Sequence, residues 1–102
     1  MAQYHSVNSG GGNTEITSVR EHPNMSVSYG GATFVAQYAG EANGKPYYEY
    51  DGTYIKYRLI WEEYEGVSYW FLKLSIDGGT TYVNHCYSPD DTPTPDLASF
   101  RS

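Results

Sequence analysis

Basic residues are scarce in this chain of 102 residues, which carries six Lys and Arg against twelve Asp and Glu and a formal net charge of -6. A surface with this charge repels the phosphate groups of nucleic acids and of anionic lipids. No basic run is long enough to follow a phosphate backbone. We therefore expect no nucleic-acid partner and no membrane partner.

Cysteine and long apolar runs are also scarce. The single cysteine, Cys86, excludes an internal disulfide framework and a cysteine-rich zinc site, and we expect it to be a small buried residue in a strand. No stretch approaches the length of a transmembrane helix, and the N-terminus lacks the basic and apolar regions of a signal peptide. We expect a protein that is made in the cytoplasm without a signal peptide and works in a virion or an extracellular assembly.

Residue patterns for catalysis are weak. Glu62, Glu63 and Glu65 are close in sequence, but neighbouring residues of a strand point to opposite faces, and the tip of a hairpin does not bury an acid. The trio of His85, Ser88 and Asp90 lacks the turns that support a nucleophile. We expect no catalytic residues and no cofactor.

Metal binding has one candidate. Asp90, Asp91 and Asp96 lie among prolines near the C-terminus and could supply oxygen ligands to calcium. They lack the alternating acidic ligands of a dedicated calcium loop, and Asp and Ser also form turns and caps. We favour the second interpretation and expect no metal.

Tyrosine is abundant, with twelve residues in an aromatic content of 17%. A single domain of this length can build one modest core, so aromatic rings must supply much of its area. Five tyrosines occur in the stretch YYEYDGTYIKY, residues 47 to 57. Tyrosine is enriched in protein interfaces, so some of these rings are candidates for binding a partner.

Residues 1–24 differ from the rest of the chain. They are polar, are interrupted by three glycines, and cannot form a core of their own. We interpret them as an extended N-terminal arm that binds another chain through Tyr4, Ile16 and Val19. The alternative is a tail of little consequence.

Residues 25–102 have the pattern of a single antiparallel β domain. Short alternating runs are separated by turn signals at Gly30-Gly31, Asn43-Gly44 and Asp51-Gly52. The sequence predicts an all-β fold, a small antiparallel β-sandwich or partly open barrel of about 6–7 strands. The proline-rich ending, residues 88–100, is expected to run over the surface, held by Leu97 and Phe100.

Alternation in two long strands predicts the core and the surface. Pairing of these strands should bring Trp61 and Trp70 into one aromatic layer. The predicted core residues are Ile55, Tyr57, Leu59, Trp61, Trp70, Leu72, Leu74 and Ile76. The predicted surface aromatic residues are Tyr47, Tyr48, Tyr50, Tyr54, Tyr64 and Tyr69.

Several motifs occur in a recognisable order: NGKPYYEY, a strand that ends in Trp61, YWFL after a short hairpin, and CYSPDDTPTP. In this order, residues 29–102 resemble a small aromatic β module of phage structural proteins and of large extracellular proteins. That family supplies no catalytic residues. The resemblance implies a module for display, attachment or recognition.

Two functions are compatible with these observations. The first is a structural or assembly protein, a small virion surface or decoration-type component whose arm binds other subunits of a homo-oligomer or virion lattice. The second is a carbohydrate-binding or adhesion module that uses exposed tyrosines to bind surface polysaccharide. We rank assembly first because a free lectin has no use for the arm.

Overall fold

The computed structural model describes the backbone of residues 5–8 and 15–18 and all of residues 24–102. The fold is all-β, as predicted, and one antiparallel sheet curls into a half-barrel. Each strand pairs with its neighbours in the chain, so the sheet order follows the sequence without a crossover. The strands are β1 (His5–Asn8), β2 (Glu15–Ser18), β3 (Met25–Tyr29), β4 (Ala32–Ala42), β5 (Lys45–Asp51), β6 (Lys56–Tyr64), β7 (Val67–Ser75) and β8 (Val83–Ser88).

Within residues 24–102, three hairpins close through two-residue turns, at Gly30-Gly31, Asn43-Gly44 and Glu65-Gly66. Both residues of each turn have positive φ, for example 57° at Asn43 and 85° at Gly44. Such turns match the right-handed twist of the strands they join. The sequence predicts the first two turns, and it predicts the third as a hairpin tip at residues 62–66.

The turn between β5 and β6 is longer than its Asp51-Gly52 signal suggests. Asp51 pairs with Lys56, so residues 52–55 form a four-residue loop. The loop folds back closely, because a Cβ atom at Gly52 would lie 2.4 Å from the carbonyl oxygen of Ile55. This position therefore requires glycine for space.

The core lies on the concave face of the curled sheet. Leu59, Trp70 and Leu72 are buried at its centre, where the alternation predicts them. Tyr57 and Trp61 are half-buried and pack against the core, and the Trp61 and Trp70 rings meet edge to face with centroids 5.6 Å apart. The buried cluster comprises Met25, Val27, Ala36, Tyr48, Leu59, Trp70, Leu72, Cys86, Ala98 and Phe100.

Two residues predicted for the core are exposed instead. Ile55 lies in the loop before β6, and Ile76 lies one residue beyond the end of β7. The predicted alternation extends past both strand ends, where the sheet no longer covers the side chains. The prediction is therefore wrong for Ile55 and Ile76, while Leu74, one pair further in, is half-buried.

The C-terminal segment, residues 89–100, forms part of the core. Phe100 and Ala98 are buried in the cluster on the concave face, and a single 3-10 turn spans Pro95–Leu97. The chain then returns to the sheet, because Arg101 and Tyr87 exchange backbone hydrogen bonds of 2.9 and 2.8 Å. The predicted surface course is thus wrong; of the two residues expected to hold the segment, Phe100 is buried and does so, whereas Leu97 is exposed.

Two interactions hold this segment on the sheet. The buried Trp70 indole N–H donates a hydrogen bond of 2.9 Å to Thr92 Oγ1. The Thr92 hydroxyl in turn donates a hydrogen bond of 2.7 Å to the Thr94 carbonyl oxygen. Lys45 Nζ lies 2.7 Å from both the Thr92 carbonyl oxygen and Asp91 Oδ1. The segment therefore covers the open side of the half-barrel through specific contacts.

Strands β1 and β2 extend the sheet beyond β3. β2 pairs along β3 from Glu15–Ser28 to Ser18–Met25, and β1 pairs with β2. Their Cα atoms also approach the 3-10 turn within 8 Å. Tyr4 and Val19 lie outside the described residues, and only the backbone of Ile16 is described. Binding of the arm to another chain stays a prediction.

One side-chain contact shows how far the sheet curls. The Tyr29 hydroxyl on β3 is hydrogen-bonded to His85 Nδ1 on β8, and the two rings are nearly perpendicular with centroids 5.1 Å apart. Four strands separate β3 from β8 in the sheet. Desolvation raises the pKa of Tyr29, with a smaller contribution from Cys86. This pair therefore links distant strands across one end of the half-barrel.

Candidate functional site

The outer face of the sheet carries a row of ion pairs. Arg58 lies 2.7 Å from Glu49 Oε2 and stacks 4.5 Å from the centroid of the Tyr82 ring. Lys73 and Glu62 form a second cross-strand pair at 2.6 Å. These paired charges make this part of the outer face polar and well solvated.

Beside this row, the outer face forms an open aromatic hollow of about 360 Å³. Tyr64 contributes from the end of β6, and β7 and β8 provide the rest. We define the aromatic hollow by its lining residues, Tyr64, Tyr69, Phe71, Asn84 and Tyr87. Its volume lies within the range typical of sites for small ligands.

A β-bulge brings the two β8 residues to the same face. Leu72 pairs with Cys86, but the next residue, Lys73, pairs with Asn84, so His85 is inserted without a partner in the ladder. Residues 84 and 87 are three apart and would point to opposite faces of a regular strand. The extra residue reverses the alternation, so Asn84 and Tyr87 both line the hollow.

The rings form a floor and walls. Phe71 is 5% exposed and forms the floor, with the ring of Tyr69 5.4 Å away. Tyr69 and Tyr87 meet at 87° with centroids 5.7 Å apart, which makes a corner. Tyr64 stands at 81° to Phe71 and is 54% exposed at the rim. The exposed side chain of Asn84 adds an amide that can donate and accept hydrogen bonds.

The charges near the hollow do not favour an anion. Lys73 Nζ lies 5.5 Å from the centroid of Phe71, but Glu62 already neutralises it. Glu63 and Glu65 are exposed at the same hairpin. Arg101, the ladder partner of Tyr87, is exposed at the β8 border. The lining residues themselves carry no charge, which favours a neutral ligand.

Among the tyrosines predicted for the surface, Tyr64 and Tyr69 meet in the aromatic hollow. Phe71, Asn84 and Tyr87 were not predicted there. Phe71 could have been found from its alternation with Tyr69 along β7, whereas the other two depend on the bulge. The sequence alone therefore indicates the contributions of β6 and β7 to this site and misses that of β8.

The remaining predicted tyrosines lie elsewhere. The prediction is wrong for Tyr48, which is buried in the core and whose pKa burial raises to about 12, with the negative charge of Asp96 contributing. Tyr50 is half-buried with its ring 5.1 Å from Phe34. Tyr47 is half-buried, and a Cβ atom at Gly40 would lie 3.5 Å from its ring. Tyr54 is exposed, as expected.

Tyr54 belongs to a second surface, at the end of β6 and β7 opposite the hairpin tip. The register of β6 and β7 places Ile55 and Ile76 next to the Lys56–Ser75 pair. The Gly78 amide donates a hydrogen bond of 3.1 Å to the Tyr54 carbonyl oxygen. We call this surface the apolar end and define it by four exposed side chains, Tyr54, Ile55, Ile76 and Val83. Ile76 is 74% exposed and Tyr54 73%.

The acidic residues near the C-terminus have separate contacts. Asp90 accepts a hydrogen bond of 2.9 Å from the Ser99 amide, and Asp91 pairs with Lys45. Asp96 is buried beside the core. Within residues 24–102, no group of three His, Cys, Asp or Glu side chains is arranged to hold a metal ion. In the same part of the chain, no helix is long and apolar enough to cross a membrane.

No protein-family model matches this chain, and comparisons with curated proteins and with solved structures likewise give no match.

Proposed function

We propose that this chain is a non-enzymatic structural protein of a larger assembly, a small virion surface or decoration-type component. The apolar end carries this proposal. Exposed aliphatic side chains grouped at one place are typical of surfaces that another protein covers. Ile55 and Ile76 have the alternation of core residues, and a neighbouring subunit would bury them in the assembly as the core buries Leu59.

The arrangement of the two surfaces supports the same function. The apolar end lies where β6 begins and the aromatic hollow extends toward the hairpin tip, where β6 ends. A strand of nine residues spans about 30 Å. The hairpin-tip side of the hollow, at Tyr64, can therefore face outward while the domain is attached at the start of β6, and on β8 the two surfaces adjoin at Val83 and Asn84.

A charge at the apolar end tests this proposal. We expect Ile76→Asp to weaken association of the full-length chain, because the carboxylate would lose its water in the interface. Val67→Asp is a matched control, since Val67 is also exposed but lies at the hairpin tip. Light scattering should show oligomers for the unmodified chain and for Val67→Asp, and a smaller species for Ile76→Asp. Equal masses for the two variants would contradict this role of the apolar end.

The N-terminal segment is the second point of attachment in this proposal. β1 pairs on one side only among the described strands, so its other edge can accept a strand of a neighbour. We expect a chain without residues 1–24 to remain folded and to lose incorporation into its assembly. Unchanged incorporation would show that the segment is not the anchor.

A second candidate function is carbohydrate binding or adhesion, and the aromatic hollow favours it. The hollow opens on the side of the sheet opposite the core, and Tyr64 at its rim is exposed, so a ligand can reach it. Titration with surface polysaccharide tests it, and loss of binding on Tyr64→Ala in a folded chain is the expected result. The two functions are compatible in one virion surface protein.

A further inference from the structure

We infer that the aromatic hollow binds one neutral pyranose unit of a polysaccharide. The inference rests on the adhesion function proposed above and names the ligand class of that site. It requires neither the N-terminal segment nor the apolar end.

A pyranose ring has apolar C–H faces and polar hydroxyl groups, and the lining of the hollow can contact both. The C–H bonds of the sugar carry slight positive charge and pack on the negative face of an aromatic ring. Tyr64, half exposed at the rim, can offer such a face, while Tyr69 and Tyr87 form a corner around the floor at Phe71. The amide of Asn84 can meet hydroxyl groups as donor and as acceptor.

The form of the hollow favours a sugar over an apolar ligand or a second protein. It is open to solvent, and tyrosine hydroxyls together with Asn84 provide polar groups that a purely apolar ligand would leave without partners. A protein interface needs about 800 Å² on each partner. The apolar lining ends at the ion pairs of Lys73 and Arg58 on one side, and at the hairpin tip it continues to the exposed Val67 opposite Tyr64, so it forms a small patch.

Charge restricts the sugar to a neutral one. Lys73, beside the floor ring of Phe71, is paired with Glu62, and Glu65 is exposed in the turn next to Tyr64. Arg101, the ladder partner of Tyr87, is exposed at the β8 border of the hollow. A carboxylate on the sugar would find no positive charge among the five lining residues, and the exposed charges at the border, Glu65 and Arg101, have opposite signs. Glucuronic acid should therefore bind less tightly than glucose.

Titration of the isotope-labelled full-length chain with single sugars tests the inference. The probes are glucose, galactose, mannose, N-acetylglucosamine and glucuronic acid, each up to about 50 mM, with amide shifts followed by NMR. At least one neutral sugar should shift the amides of Phe71, Asn84 and Tyr87. Shifts confined to other residues, or no shift with any neutral sugar, would overturn the inference, as would tighter binding of glucuronic acid.

Substitutions separate a stacking contact from a general effect on the fold. Tyr64→Ala should weaken binding about tenfold and Tyr64→Phe should keep most of it, because the ring and not the hydroxyl makes the contact. Tyr54→Ala is the matched control, since Tyr54 is more exposed and lies at the apolar end. Equal loss for the Tyr54 and Tyr64 variants would contradict the site.

A change in oligomer mass on Tyr64→Ala, without any sugar-induced shift, would overturn the inference in favour of a protein partner. Failure of sugar binding leaves the light-scattering result for Ile76→Asp unaffected, so this inference and the assembly proposal can fail separately.

Discussion

Replacement of Thr92 by valine tests whether the C-terminal segment is a specific part of the core. Valine has nearly the shape of threonine, so the change removes the hydroxyl with little change in packing. The Trp70 indole N–H, fully buried, loses its acceptor at 2.9 Å, and the Thr94 carbonyl oxygen loses a donor at 2.7 Å. The contact of Lys45 with the Thr92 carbonyl oxygen involves the backbone and should remain.

The expected cost follows from the buried donor. A buried polar group left without its partner costs about 1–3 kcal/mol. We expect Thr92→Val to lower the free energy of unfolding by about 2 kcal/mol, which corresponds to a fall in Tm of roughly 10 °C for a domain of this size. Urea denaturation followed by tryptophan fluorescence measures the first quantity and a thermal scan the second.

Two comparisons make this test specific. Thr53→Val repeats the chemical change at an exposed loop position and should alter stability by less than about 0.5 kcal/mol. In a Trp70→Phe background the indole donor is gone, so Thr92→Val should cost at least about 1 kcal/mol less than it does alone. Equal effects of the Thr92 and Thr53 substitutions would refute the reasoning, because the segment would then not depend on this hydrogen bond.

Three further predictions concern burial and pH. Phe100→Ala should cost about 3–5 kcal/mol because its ring is buried, while Leu97→Ala in the same segment should change stability little, as thermal denaturation would show. The pKa of Asp77 is lowered chiefly by the hydrogen bond from the Thr81 side chain and further by that from the Thr81 amide. The stability that the Asp77 carboxylate contributes is therefore present above the unfolded pKa and is lost as pH falls through the folded pKa. Asp77→Ala should flatten the acid limb of a stability–pH profile. Burial raises the pKa of Tyr48 from 10.0 to about 12. The stability that the protonated Tyr48 hydroxyl contributes is therefore fully present below pH 10 and is lost as pH rises toward 12, so Tyr48→Phe should flatten the alkaline limb of the stability–pH profile.

Local patterns predicted the class of fold and the centre of the core. Alternation in β6 and β7 indicates which face of each strand is buried, and glycine-containing turn signals indicate the tight turns at Gly30-Gly31, Asn43-Gly44 and Glu65-Gly66. These signals depend on neighbouring residues and therefore survive without knowledge of the tertiary structure. The pairing of Trp61 with Trp70 follows from the same signals, because a two-residue turn sets the register of the hairpin.

Strand ends and face assignments next to them were less predictable. Ile55 and Ile76 continue the alternation but lie just outside the sheet, so they form the apolar end and not the core. Tyr48, read as a surface ring, is buried because the curled sheet and the C-terminal segment enclose its face. The period of a sequence indicates opposite faces of a strand, but the curvature and the covering segment decide which face meets solvent.

The sequence by itself determined the antiparallel strands of residues 25–88 and the aromatic core, because alternation and turn chemistry act between neighbouring residues. Only the tertiary structure decided the aromatic hollow and the closure of the half-barrel. The bulge at His85 brings Asn84 and Tyr87 to one face, and the proline-rich ending turns inward to bury Phe100. Both depend on contacts between residues far apart in the chain, whose free energies outweigh the local preference for a regular strand and an exposed tail.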